Sequence, residues 1–197
     1  MKKVILIGGS GYIGTHLMEQ WLQKDSKVEF ISISRSGKPE KLPERIVKNA
    51  KVKWMSADIF NVDSYIGQLP EKADAIVDLV GTATAKTQEE FEKLNVEPVK
   101  VMVELMERLS IPKGCYISGM MGMPGTGKLF IDSKRKGEAV AKASKKEIGI
   151  VRPSLVYGDR SGVGAMVFFV KLMGAFKKDL RPIKVEQLAD QIIRICR

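Results

Sequence analysis

The 197-residue chain has only two cysteines, Cys115 and Cys196, and a single histidine, His16. That scarcity excludes a disulfide framework and any cysteine–histidine metal cluster. Its strand-like surroundings make Cys115 a core thiol rather than a reactive one. Acidic residues are in the minority: 23 Asp and Glu stand against 33 Lys and Arg, a formal net charge of +10. An excess of that size fits nucleic acid, an anionic membrane surface, a polyanionic small ligand, or simply lysines on solvated helix faces. Zinc-type cysteine pairs, a recognition helix and interleaved aromatic and basic residues are all absent, so no nucleic-acid partner is expected. Long hydrophobic runs are missing too. The N-terminal apolar run breaks at Gly8, too early for a signal peptide. The most apolar later stretch, Gly162 to Phe176, is short and carries Lys171, so it does not read as a spanning helix. The expectation is a soluble cytoplasmic protein. A chain of this length builds one full core without room for a second large domain, so residues 1–197 read as a single domain.

What is present is an alternation of strand-like and helix-like segments, the pattern of βαβ units in a doubly wound parallel sheet, an α/β fold with helices on both faces. Six strands are expected: Lys3 to Ile7, Val28 to Ile33, Val52 to Ser56, Ala75 to Val80, Cys115 to Ser118 and Ile148 to Val151. A helix after the first strand carries Ile13, Leu17, Met18, Trp21 and Leu22 on one face. Val62 to Leu69 reads as a short helix, and Thr87 to Leu109 as one long helix with a kink at Pro98. Ile131 to Lys146 reads as a basic helix, with further helices from about Val163 and from Val185. The glycine- and methionine-rich Gly119 to Lys128 reads as a loop over a site.

The junction of the first strand and helix is the strongest single signal. Val4 to Ile7 is wholly apolar and rich in β-branched residues, as a strand buried on both faces requires. It runs into Gly8-Gly9-Ser10-Gly11-Tyr12-Ile13-Gly14. Gly8 allows the tight turn, Gly11 the close approach of backbone N–H groups to a diphosphate, and Gly14 the packing of the helix on the sheet. That arrangement points to a dinucleotide at a helix N-terminus. NAD sites of this kind place an acid about 20 residues further on, at the ribose hydroxyls. Here the second strand ends in Ser34-Arg35-Ser36 with no acid. A guanidinium between two hydroxyls suits a 2′-phosphate, so NADP(H) is expected in preference to NAD(H).

With these landmarks the chain resembles the short-chain dehydrogenase/reductase family, in its extended or atypical branch, over nearly its whole length. Asp58-Ile59 after the third strand is similar to the family's adenine-contacting pair. Leu79-Val80-Gly81 is similar to the stretch that passes the adenine ribose, and Asn95 to the helix asparagine. Ser118 falls at the active-site serine. Arg152-Pro153-Ser154-Leu155-Val156-Tyr157-Gly158 matches the stretch that passes the nicotinamide, which carries Pro153, Ser154 and Val156 into the expected cofactor site. The resemblance implies a Rossmann fold with a minimal C-terminal substrate-side segment, residues 159–184.

One departure bears on chemistry. The family's proton donor is the tyrosine of Tyr-x-x-x-Lys, and this chain has Phe130 at that place with Lys134 four residues on. The resemblance leaves Ser118 and Lys134 to orient a carbonyl and hold ribose, without the phenol. Two expectations follow: an oxidoreductase acting on a small carbonyl or quinone-like substrate without a tyrosine donor, or a non-catalytic NADP(H)-binding regulatory or assembly module. Nucleotide-sugar epimerases need the tyrosine and a larger C-terminal lobe. Met166 to Phe176, with Lys177, Lys178 and Arg181 behind it, fits either the substrate side or a peripheral membrane contact. A monomer and a homodimer are both compatible with the sequence.

Overall fold

A computed structural model describes residues 2–39, 44–120, 127–159 and 181–197. Six strands form one parallel sheet: β1 (Lys2–Ile7), β2 (Val28–Ser34), β3 (Val52–Ser56), β4 (Ala75–Asp78), β5 (Lys113–Ile117) and β6 (Glu147–Val151), in the order β3-β2-β1-β4-β5-β6. The order reverses between β1 and β4, which opens a crevice at the carboxyl ends of those two strands. Val4 and Leu6 point to one face, Ile5 and Ile7 to the other, and all four are buried. Because both faces of β1 are covered there, Val4 to Ile7 are apolar throughout rather than alternating.

On the Val4 face lie α1 (Tyr12–Lys24) and α6 (Val185–Ile195), packed side by side through Leu17, Met18, Trp21, Leu188 and Ile192. The other face carries α4 (Glu97–Arg108) and α5 (Lys128–Ala143), with α3 (Gln88–Asn95) against α5. A single turn, α2 (Glu44–Val47), precedes β3, and a small two-stranded sheet, β7 (Val156–Tyr157) and β8 (Ile183–Lys184), flanks α6.

Three expected elements differ. The long helix is two, because the chain breaks at Val96 and Pro98 becomes the second residue of α4. Proline is accommodated in a first helical turn, where its missing N–H has no partner to lose. Val62 to Leu69 forms two short 3₁₀ turns, Val62–Ser64 and Ile66–Gln68. The basic helix begins at Lys128, three residues earlier than expected. The β7–β8 pair was not anticipated, since two-residue strands carry no periodicity to read. Most of the 119–128 loop, the helix from Val163 and the Met166 to Phe176 stretch lie outside the described residues.

The two cysteines, 81 positions apart, meet in the core under α6. Both are buried, and a hydrogen bond with Cys196 together with burial pushes the Cys115 thiol well up. A thiol held that way stays protonated and inert, as expected for a core cysteine.

Candidate functional site

The glycine turn forms the floor of the crevice. Gly8 adopts φ +79°, a left-handed conformation that side chains resist, and its N–H donates to the Ile33 carbonyl at 2.8 Å. Gly14 lies against the backbone of Gly9: a β-carbon there would meet the Gly9 oxygen and come within 2.6 Å of its Cα. Gly9 is itself seated against Ser32 and Leu6. Gly14 therefore brings the helix onto the turn, and the turn rests on the sheet. Gly11 has open space on its α-carbon apart from the Gly8 oxygen. It sits at the N-cap of α1 with no side-chain cap, which leaves the first N–H groups of the helix available to an anion. Gly8, Gly11, Tyr12, Ile13, Gly14, Leu79 and Val156 line a cavity of about 160 Å³. All seven are among the residues the sequence marked for cofactor binding. A cradle of backbone donors walled by Leu79 and Val156 fits a dinucleotide's diphosphate.

The other expected cofactor residues lie along the carboxyl edge of the sheet. Ser34 ends β2, and its hydroxyl donates to the Gly37 carbonyl at 3.3 Å, closing a turn that leaves Arg35 and Ser36 exposed. Asp58 is exposed and accepts from the Phe60 N–H at 3.2 Å, while Ile59 is buried in the core. Ser10 and Val80 are half-buried beside the turn, and Gly81 is exposed at the mouth. The Pro153 carbonyl accepts from Met120 N–H at 3.1 Å, and the Ser154 hydroxyl donates to the Arg181 carbonyl.

At the ends of β4 and β5 the structure brings Ser118, Phe130 and Lys134 together. The Phe130 ring tip lies against Gly119, where a β-carbon would stand 2.8 Å from Cζ and 3.7 Å from the Cγ of Lys134. Lys134 is 5% exposed; its ammonium donates to the Ile117 carbonyl at 3.0 Å and sits 5.1 Å over the Tyr116 ring. Burial pushes it down to about 8, against the pull of Asp78 and Glu138. Gly81 leaves room for that ammonium and for Asn95. Asn95 is fully buried, with Oδ1 accepting from the Thr82 N–H at 3.0 Å and Nδ2 donating to the Ser133 hydroxyl at 3.0 Å. It ties α3 to α5 and to the loop after β4.

Two side chains that the sequence reading did not assign to the site also shape it. Asp78, last residue of β4, is fully buried; its Oδ1 accepts from the Val80 N–H at 3.0 Å, and its Oδ2 has no hydrogen-bond partner among the described residues. Burial pushes this carboxyl up to about 7, with Lys134 and the Val80 bond opposing. The available signal was an acid inside an otherwise apolar strand. The second feature is Glu138. Its carboxylate accepts from the Ser118 hydroxyl at 2.6 Å, from Arg152 at 2.7 and 2.6 Å, and from Arg135. Burial raises its pKa, but the bonds from Arg152 and Ser118 and the two guanidinium charges outweigh it and hold the carboxyl below its usual range. Ser118 is thus committed to Glu138.

No group of three or more His, Cys, Asp or Glu among the described residues is placed to hold a metal ion, and no described helix is long and apolar enough to cross a membrane. Comparison with known proteins agrees with the fold. The chain resembles ADP-L-glycero-D-manno-heptose-6-epimerase of Helicobacter pylori, with a TM-score of 0.73 at 18% identity over 99% of this chain and 73% of that one. It likewise resembles UDP-glucuronic acid 4-epimerase of Bacillus cereus in complex with NAD, with a TM-score of 0.70 at 17% identity over 97% of this chain and 72% of that one. A tyrosine-to-phenylalanine variant of ElxO with NADPH bound gives 0.73 at 15% identity, over 100% of this chain and 91% of that one. Among curated proteins, a decarboxylating sterol-4-alpha-carboxylate 3-dehydrogenase of Candida albicans is 29% identical over 122 residues, 60% of this chain. The chain spans about a third (34%) of that relative's length. MIOREX complex component 2 of Saccharomyces cerevisiae is 23% identical over a 242-residue alignment, covering 96% of this chain and 87% of that protein. The family model for the NAD dependent epimerase/dehydratase family matches residues 4–177. With the glycine cradle, the switch-point crevice and a match over most of its length, the chain belongs to the NAD dependent epimerase/dehydratase family.

Proposed function

We propose that this protein binds NADP(H) in the Gly8–Gly14 cradle and acts as an oxidoreductase on a small carbonyl or quinone-like substrate, without a tyrosine proton donor. The observation that carries the reading is the cavity over the glycine turn, flanked by a buried lysine at the ends of β4 and β5. When bound, the dinucleotide supplies the hydride. The chain's own part is to hold it: backbone N–H groups of Gly9 to Ile13 at the diphosphate, Arg35 with Ser34 and Ser36 at a 2′-phosphate, and Lys134 at the nicotinamide ribose. The preference for NADP(H) rests on the exposed Arg35 at the end of β2, where no acid stands. A small-molecule substrate, no nucleic-acid partner and a cytoplasmic setting go with this reading.

A second reading, a non-catalytic NADP(H)-binding module, is favoured by one observation: the Ser118 hydroxyl donates to Glu138 rather than pointing at an open site. Calorimetric titration with NADPH and NADH tests the cofactor. Arg35→Ala is expected to weaken NADPH tenfold or more, the worth of one charge-assisted contact, and to leave NADH unchanged; equal losses for both remove Arg35 from the site. Incubation of NADPH with a panel of aldehydes and quinones, followed by absorbance, separates the two readings. Oxidation that Lys134→Ala abolishes supports the enzyme, and tight binding with no turnover across the panel supports the module.

A further inference from the structure

Asp78 is the one buried acid whose second oxygen meets no donor among the described residues, and Lys134 is the one buried cation there. A charge taken out of water without partners is unstable, so a buried carboxyl of this kind keeps a proton or a cation close. The fold sets the two groups against the same side chain. Asp78 pairs in register with Tyr116 of β5, and the Lys134 ammonium stands over the Tyr116 ring, anchored to the neighbouring Ile117 carbonyl. Gly81, three residues beyond Asp78, has its α-carbon so near this ammonium that a β-carbon would lie 2.7 Å from Nζ. The chain thus folds back over Lys134 immediately after Asp78, at the edge of the crevice.

We propose that Asp78 is a positioning residue that holds a proton on Lys134, and that the Lys134 ammonium is the group that delivers a proton at this site in place of the missing phenol. The delivery rests on the oxidoreductase reading above. It is a proton transfer alone: an N–H bond of Lys134 breaks with its electron pair staying on Nζ, and an O–H bond forms on the reduced substrate oxygen. The neutral amine then regains a proton from solvent through the crevice. Burial alone drives a lysine towards the neutral amine, which has no proton to give in this way; a carboxylate nearby opposes that drift. The groups facing the pair are few. Besides Asp78 and Lys134, α5 presents Glu138 and β5 presents Tyr116, held protonated by burial, while Cys115, also protonated, lies on the opposite face of the sheet. β1 places Ile7 opposite Asp78, α4 adds Val99 and Met102 to the same layer, and α6 brings only Cys196, bonded to Cys115.

The test uses the ligand-free full chain. Lysine side-chain NMR as a function of pH, with Lys134 identified by the signal lost in Lys134→Met, is expected to show Lys134 titrating near 8, well below the ordinary lysine value of 10.5. In Asp78→Asn the midpoint falls by one unit or more, a tenfold change in proton affinity. Carboxyl NMR of the wild type gives a second measurement that needs no variant: one aspartate titrates near 7, not near 4. An unchanged Lys134 midpoint in Asp78→Asn, or no aspartate titrating above 6, overturns the coupling. Where turnover is found, the alkaline limb of its pH profile moves down in Asp78→Asn; an unmoved limb overturns the donor role. Failure of NADPH to bind the wild type overturns the functional reading and the delivery with it, while the ligand-free titration still decides the coupling.

Discussion

Replacing Gly14 by Ala and Gly11 by Ala tests whether the crevice is a packed cradle, because the two glycines answer to different constraints. At Gly14 the new methyl meets the oxygen, Cα and carbonyl carbon of Gly9, the last two at 2.6 and 2.7 Å. These are backbone atoms, and Gly9 has nowhere to retreat, since its own α-carbon is seated against the Ser32 hydroxyl and the Leu6 side chain. Overpacking of this kind costs about 1–3 kcal/mol, and a clash with three backbone atoms of one fixed residue places it at the upper end. Alanine's better helix propensity returns at most ~1 kcal/mol. The net loss is about 2 kcal/mol, which in a domain of this size lowers the melting temperature by about 4–8 °C. At Gly11 the backbone is extended, φ −80° and ψ 176°, and the sole neighbour of a β-carbon is the Gly8 oxygen at 3.5 Å, an ordinary contact. Gly11→Ala should therefore melt within about 1–2 °C of wild type, the range of a neutral surface change. Its methyl nevertheless enters the cavity mouth where the diphosphate is expected, so NADPH binding should weaken tenfold or more. Differential scanning calorimetry and dinucleotide titration on the same preparations read both effects. A Gly14→Ala protein as stable as wild type refutes the packing argument, and a Gly11→Ala protein that binds NADPH normally refutes the cradle.

Glu138→Gln leaves Arg135 and Arg152 without their carboxylate and is expected to cost about 1–2 kcal/mol, discounted because both arginines are partly exposed. Since the folded carboxyl lies below its unfolded value of 4.5, that contribution is present above about pH 4.5 and is lost as pH falls through the lower folded value; urea midpoints for wild type and variant should converge only on acidification. Asp78 has the opposite sign. Its folded pKa of about 7 stands above the ordinary 3.8, so wild-type stability should fall as pH rises from 4 to 7, by up to about 4 kcal/mol, and Asp78→Asn should lose that fall. A wild-type profile flat between pH 4 and 7 refutes it. Phe130→Tyr adds a hydroxyl at the ring carbon that lies against Gly119, so a lower melting temperature is expected from overpacking; if the site reduces carbonyls, NADPH oxidation should rise, and a silent variant that still binds NADPH favours the module.

How far the sequence could be read follows from the range of the interactions involved. The strands, the glycine turn and the helix faces are local patterns, and the structure bears out the parallel sheet and the reversal that creates the crevice. Pro98 was visible, yet whether a proline kinks a helix or opens a new one depends on what lies before it. Here the break falls at Val96, directly after Asn95, whose side chain is tied to Thr82 and Ser133, contacts 13 and 38 residues away. Ser118 shows the same limit. Its place at a strand end was legible, but the state of its hydroxyl is set by Glu138, one helical turn past Lys134, and by Arg152 from beyond the next strand. Asp78 was hidden most completely, because an acid in an apolar run says nothing of its partner until β5 supplies Tyr116 and α5 lowers Lys134 onto that ring. The glycine turn is therefore a property of one βα unit, whereas the cluster of Asp78, Tyr116 and Lys134 is drawn from three elements that together span more than fifty residues. Phe130 lies beside that cluster without a titratable group, so the electrostatics there rest on Asp78, Lys134 and Glu138.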